Sequence, residues 1–373
     1  MKFEEKDLVR IAKRENNKKR NYLVVNPLQG KHIPVAPHRA FEMFDALAEL
    51  LRETYRGERL LLIGFAETAT AIGARVALQL GCFYMQTTRE VIPGVEYLFF
   101  SESHSHATEQ KLVRNDLDRI VDQTDRMIFI EDEVTTGNTI LNIVTLLEET
   151  YPGQLQFSVA SLLNGMDKEH RKVYDDRNIP LHYLVKTNHS RYAEIADAYQ
   201  ENGSYKNCRV KQNEKTEQSE HYSCEIPGRL DARRLVGAEA YRVSCERLCK
   251  EVSSRIPVQK EEKILVLGTE EFMYPALAVA EFLEQKGCNV RFHATTRSPI
   301  AVSADARYPL HTRYELVSLY DSERVTYLYD IGSYDQAVVI TDAPGTQSLQ
   351  DGAATLLRAL EDHCPKISLV RWC

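Results

Sequence analysis

Short apolar runs alternate along the chain with longer stretches in which apolar residues return every three or four positions. Residues 59–64, 83–87, 127–130, 155–163 and 182–186 are runs of strand length, and their apolar content suits strands buried on both faces. Residues 22–25 and 97–100 read as shorter strands. Helical spacing marks residues 41–53, where Phe41, Phe44, Leu47, Leu50 and Leu51 recur, and residues 140–149. A further helix follows the small-residue loop after Gly64 and runs to about Leu80. Strands alternating with helices predict an α/β fold with mostly parallel sheets. Residues 2–20 are charged and read as a helical or frayed lead-in. Residues 199–227 are polar and nearly free of aliphatics, as expected of a linker or excursion between a domain at 1–198 and another at 228–373.

The second half echoes the first. Glu262-Lys-Ile-Leu-Val-Leu-Gly268 matches Glu58-Arg-Leu-Leu-Leu-Ile-Gly64, and His293-Ala-Thr-Thr-Arg297 matches Met85-Gln-Thr-Thr-Arg89. Ala337-Val-Val-Ile-Thr-Asp342 with Gly345-Thr-Gln-Ser348 matches Ile128-Phe-Ile-Glu-Asp132 with Gly137-Asn-Thr139. Three matches in one order, at a nearly constant offset of about 204–210 residues, predict two related Rossmann-like units made by duplication. The copies differ where chemistry would occur. Thr341 replaces the first acid, and bulky, acidic residues over 269–275 replace a small-residue loop, so the second unit is expected to be degenerate.

Most of the chemistry lies in Met127-Ile-Phe-Ile-Glu-Asp-Glu-Val-Thr-Thr-Gly-Asn-Thr139. An apolar strand ends at Glu131 and Asp132, and a turn of Thr135, Thr136, Gly137, Asn138 and Thr139 opens a helix. Ligands of open α/β sheets sit at the carboxyl ends of such strands. Free amides and hydroxyls at a helix N-terminus make an anion site, and Gly137 allows close backbone approach. The two carboxylates would repel that anion. They suit the vicinal hydroxyls of a sugar, and a phosphate nest beside a diol clamp describes a ribose 5-phosphate site. No Gly-Lys-Ser/Thr follows the glycine, which excludes a Walker-type loop.

This stretch resembles the PRPP-binding motif of type I phosphoribosyltransferases. The resemblance implies PRPP and a small-molecule base as substrates, with Mg²⁺ held mainly through PRPP and no protein metal site. It implies Glu131 and Asp132 on the ribose, Thr135 to Thr139 on the 5-phosphate, and Ala66, Glu67, Thr68, Ala69 and Thr70 on the pyrophosphate. That last loop departs from expectation: Glu67 is acidic and no Lys or Arg lies within it. Arg89, at a strand end, would clamp phosphate or pyrophosphate. Residues 101–110 correspond to a mobile loop closing over the site, with His104 and His106 as phosphate contacts or proton shuttles. Lys31 and His32 would belong to a hood over the substrate, and Asn164 and Asp167 would face the accepting base. Type I members are often dimers, so a homodimer is compatible with the resemblance. Thr296-Arg297-Ser298-Pro299 extends it over nearly the whole chain. A phosphoribosyltransferase domain followed by a Thr-Arg-Ser-Pro (TRSP) domain resembles a two-domain family associated with bacterial tellurium-resistance (ter) stress operons, linked by context to making a nucleotide- or nucleoside-like molecule. Thr296, Arg297 and Ser298 are then candidate anion contacts in the second domain.

Composition narrows the remaining classes. A net charge of −7 over 373 residues argues against general nucleic-acid binding. No apolar run approaches the roughly 20 residues that span a bilayer, and residues 1–20 lack the apolar segment of a signal peptide. Eight scattered cysteines without a CxxC pair point to a reducing cytoplasm, with neither zinc nor disulfides.

Overall fold

The computed structural model describes residues 2–15, 20–100, 110–153, 155–209 and 219–373. The chain forms two compact units that interleave in sequence. The first is built chiefly from Phe41–Asn188 with Leu230–Ser244, the second from Glu4–Ala40, His189–Arg229 and Cys245–Cys373.

In the first unit a six-stranded sheet runs in the order Val236–Gly237, Phe83–Gln86, Leu60–Gly64, Arg126–Val134, Gln156–Asn164, Leu181–Lys186. Only Val236–Gly237 pairs antiparallel. Leu61, Leu62, Ile63 and Met127 to Ile130 are fully buried, which is why these strands show no alternation. Each such side chain contributes about 1.5–3 kcal/mol of burial. Leu60–Gly64 leads through the helix Thr70–Leu80 to Phe83–Gln86 on one side. Arg126–Val134 leads through Asn138–Thr150 to Gln156–Asn164 on the other. The order therefore reverses between Leu60–Gly64 and Arg126–Val134, and their carboxyl ends border the expected ligand crevice. The Arg126–Val134 strand outruns its apolar core and carries Glu131, Asp132 and Glu133, because Gln156–Asn164 pairs with it as far as Val134.

The second unit holds a five-stranded parallel sheet, in the order Glu220–Ile226, Lys366–Trp372, Gln336–Thr341, Lys263–Gly268, Asn289–Ala294. The helices Tyr274–Gln285 and Gln347–Glu361 connect its strands as Thr70–Leu80 and Asn138–Thr150 do in the first unit. Four strands of each sheet thus share one order and one pattern of connections. Each unit also carries an antiparallel pair: Tyr97–Phe100 with Gln110–Val113 in the first, Thr312–Val317 with Val325–Tyr329 in the second.

Two stretches differ from their sequence reading. The lead-in holds a single helical turn, Glu5–Leu8, and then the strand Arg10–Lys13 paired antiparallel with Tyr22–Val25. Ala12 packs there against Val25, Ile300 and Val302 in one buried cluster. The polar segment after residue 198 supplies two strands, Ser204–Asn207 beside Thr312–Val317 and Glu220–Ile226 beside Lys366–Trp372. Both lie at sheet edges and are mostly exposed, so their polar composition is that of edge strands.

Candidate functional site

Three loops leave the carboxyl ends of the first sheet: residues 65–69, 87–89 and 135–137. The first is braced from two sides. The Ala66 amide donates to Thr87 Oγ1 (2.8 Å), Gln110 Nε2 donates to the Ala66 carbonyl (2.9 Å), and the Thr87 hydroxyl closes the triangle on Gln110 Oε1. All three residues are buried. The Ala66–Glu67 peptide is cis. Ala69 N donates to the Phe65 carbonyl (2.9 Å), and Tyr84 Oη donates to the Thr70 carbonyl (2.9 Å), which fixes the start of the following helix. Glu67 is buried in this loop, and Thr68 is half-buried.

Thr68 joins this loop to the acidic strand end, because its Oγ1 donates to Asp132 Oδ1 at 3.0 Å. Burial pushes the Asp132 carboxyl above its ordinary range, the Glu133 carboxylate adds to the rise, and the Thr68 hydroxyl opposes it. Glu131 is half-buried and lies in register with Ser161 on the next strand.

The third loop is shaped by Gly137. Its φ of +72° is a left-handed conformation, and an added Cβ would meet Tyr174 Oη at 2.3 Å and Met166 Cε at 2.5 Å. Tyr174 Oη donates to the Gly137 carbonyl at 2.6 Å. The Asn138 amide bonds weakly to Thr136 Oγ1 (3.4 Å), while the amides of Thr136, Gly137 and Thr139 meet no acceptor among the described residues. Thr135 to Thr139 are all half-buried. Open amides at the head of a 13-residue helix, with hydroxyls beside them, can bind an anion.

Arg89 is half-buried and follows Thr88, whose backbone pairs with Lys111 at 3.0 and 3.1 Å. His104 and His106 lie outside the described residues. Asn164 and Asp167 both have structural partners. Asn164 Oδ1 accepts from the Met166 amide (3.2 Å) and Lys186 Nζ (2.8 Å), and Asp167 caps the helix Lys168–Asp176 through the His170 amide (2.8 Å).

Lys31 and His32, expected in a hood over this substrate, are instead buried in the second unit. Lys31 Nζ donates to the Glu270 and Thr295 carbonyls at 3.0 Å each. Thr296 is buried and paired through its backbone to Tyr327. Ser298 accepts from Tyr329 Oη through its carbonyl (2.7 Å). Arg297 is committed to Glu270 and Glu271 at 2.5 and 3.5 Å.

Sequence reasoning passed over Thr87, Gln110 and Tyr174. The Thr-Thr-Arg echo between the halves contained Thr87 and could have marked it. Gln110 and Tyr174 carry no local signal. Among the described residues, no three His, Cys, Asp or Glu side chains are grouped to hold a metal ion, and no helix is long and apolar enough to cross a membrane.

No curated protein matches the chain. Among solved structures, adenine phosphoribosyltransferase from Rhodothermus marinus aligns at 15% identity and TM-score 0.36, over 49% of this chain and 96% of that one. The enzyme from Thermoanaerobacter pseudethanolicus aligns at 18% identity and TM-score 0.35, over 49% and 97%. That from Trypanosoma brucei, solved with AMP, pyrophosphate and ribose-5-phosphate, aligns at 19% and TM-score 0.30, over 39% and 64%. The model of a phosphoribosyl transferase family, PRTase_2, matches residues 8–202, and that of the TRSP domain found C-terminal to it matches residues 236–360. The chain belongs to this family of phosphoribosyl transferases followed by a TRSP domain.

Proposed function

We propose that the first unit transfers ribose 5-phosphate from PRPP to a nitrogen of a small base and releases pyrophosphate, in the synthesis or salvage of a nucleotide-like molecule of a stress response. The observation that carries this reading is the bond from Thr68 to Asp132 at the switch point. It ties a candidate diphosphate loop to a candidate diol clamp, on the strand that leads into the turn with the open amides at Gly137. Glu131 and Asp132 would accept from the ribose hydroxyls, the amides and hydroxyls of Thr135 to Thr139 would hold the 5-phosphate, and Ala66 to Thr70 with Arg89 would hold the diphosphate. Such a site works by positioning and by stabilising charge as the bond from C1 to the diphosphate oxygen breaks. No protein nucleophile is required.

Magnesium fits the donor chemistry here, since the buried Glu67 puts a carboxylate in the loop assigned to a diphosphate. Mg²⁺ brought in on PRPP would neutralise that charge, with Glu67 and Asp132 the carboxylates at hand. The test is pyrophosphate release from PRPP with Mg²⁺ and a panel of purine and pyrimidine bases. Release that depends on one base supports the transferase and names the acceptor. PRPP binding without release from any base would favour a PRPP-sensing regulator.

A further inference from the structure

The two units share a set of hydrogen bonds around the loops that follow Gly64 and Gly268. In the first, Thr87 N donates to the Gly64 carbonyl (2.9 Å) and Ala66 N donates to Thr87 Oγ1 (2.8 Å). In the second, Thr295 N donates to the Gly268 carbonyl (3.1 Å) and Glu270 N donates to Thr295 Oγ1 (3.0 Å). Thr88 exchanges backbone bonds with Lys111, as Thr296 does with Tyr327 (2.9 and 2.7 Å). This register makes Arg297 the counterpart of Arg89 and Glu270 the counterpart of Ala66.

The substitution at that position changes the chemistry. Ala66 has no polar side chain, whereas the Glu270 carboxylate is 1% exposed and fully engaged. Its Oε2 accepts from Arg297 Nε (2.5 Å) and from the Arg324 guanidinium (3.0 Å), and its Oε1 accepts from the Ser318 hydroxyl. Two guanidinium groups and a hydroxyl converging on one pair of oxygens form the donor set that would hold a phosphoryl group. Glu270 also has φ +52°, a left-handed conformation that costs a non-glycine residue about 1–2 kcal/mol. A glycine would relieve that cost, so a glutamate at this position fits a role for its side chain.

We infer that the Glu270 carboxylate is a built-in anion, standing where the second unit's copy of the pyrophosphate loop would otherwise hold a diphosphate. The inference rests on the assignment of Ala66 to Thr70 as the pyrophosphate loop. Arg297 and Arg324 retain the cationic half of an anion site, and the chain itself supplies the anion.

The test is calorimetric titration of inorganic pyrophosphate into the full chain, as wild type, Glu270→Gly and Glu270→Gly/Arg297→Ala. Glu270→Gly should take up one more equivalent than the wild type, and the double variant should lose it. The wild-type count reports separately on the first unit: one equivalent supports its loop assignment and none contradicts it, whereas the difference between Glu270→Gly and the wild type reports on the second unit alone. An unchanged count in Glu270→Gly, or an added equivalent that survives Arg297→Ala, overturns the inference. Should Glu270→Gly not fold, Glu270→Ala, which carries the residue found at the matching position of the first unit, removes the carboxylate and leaves its place open. Its melting temperature should fall below that of the wild type and rise more than the wild type's on adding pyrophosphate, and an equal rise would overturn the inference.

Discussion

Asp132 meets two opposed demands at the scale of a single residue. It must be ionised to accept strongly from ribose hydroxyls, yet burial and Glu133 disfavour its charge. Asp132→Asn should weaken PRPP binding by about 1.5–3 kcal/mol, roughly ten- to a hundredfold, the value of a lost charge-assisted bond. The same change should stabilise the ligand-free fold. The folded carboxyl binds its proton more tightly than the unfolded one, so its contribution to stability is complete below the ordinary value of 3.8 and is lost as pH rises through the folded value. Asp132→Asn should therefore melt above the wild type at pH 7, with the gap closing in acid, which paired thermal melts across pH would check. Gly137→Ala should fail in both respects. Its methyl group would meet Tyr174 Oη and Met166 Cε, and its φ of +72° costs about 1–2 kcal/mol for any residue with a Cβ. A variant that melts with the wild type and binds PRPP equally would contradict the role given to this turn.

The element that matters most is the loop after Leu60–Gly64, since its position depends on groups distant in sequence. Thr87→Val removes the acceptor for the buried Ala66 amide, at a cost of about 1–3 kcal/mol. The loop should loosen, raising KM for PRPP in pyrophosphate-release kinetics, and an unchanged KM would contradict the bracing role. This dependence also explains what the sequence could reveal. The run from Met127 to Thr139 was legible because strand, acids, turn and helix start are contiguous and each has its own local signal. The parallel strands were legible because full burial leaves unbroken apolar runs. Thr87, Gln110 and Tyr174 act across gaps of up to 44 residues, and nothing local to them marks that reach. The edge strands Ser204–Asn207 and Glu220–Ile226 have the composition of a linker because only one side pairs and most of their side chains face water.

At the scale of the whole molecule, the two compact units do not follow the order of the chain. Leu230–Ser244 gives the first unit its antiparallel edge strand, and Arg234 there pairs with the buried Asp116. A polypeptide ended at residue 202 would lose both, opening the edge of Phe83–Gln86 and leaving a buried carboxylate without its guanidinium. It should show no cooperative melting transition by circular dichroism, and a sharp transition like that of the full chain would contradict this organisation. The duplicated sheet is the other feature of this scale. Its repeat was visible as sequence echoes at nearly constant offset, and the matching hydrogen bonds around Ala66 and Glu270 give those echoes a physical basis. The central claim, a working PRPP site in the first unit, is tested most directly by calorimetric titration of PRPP with Mg²⁺ into the wild type and Asp132→Asn. One magnesium-dependent equivalent in the wild type, weakened at least tenfold by the substitution, is the result predicted. No binding to the wild type, or equal binding to both proteins, would contradict it.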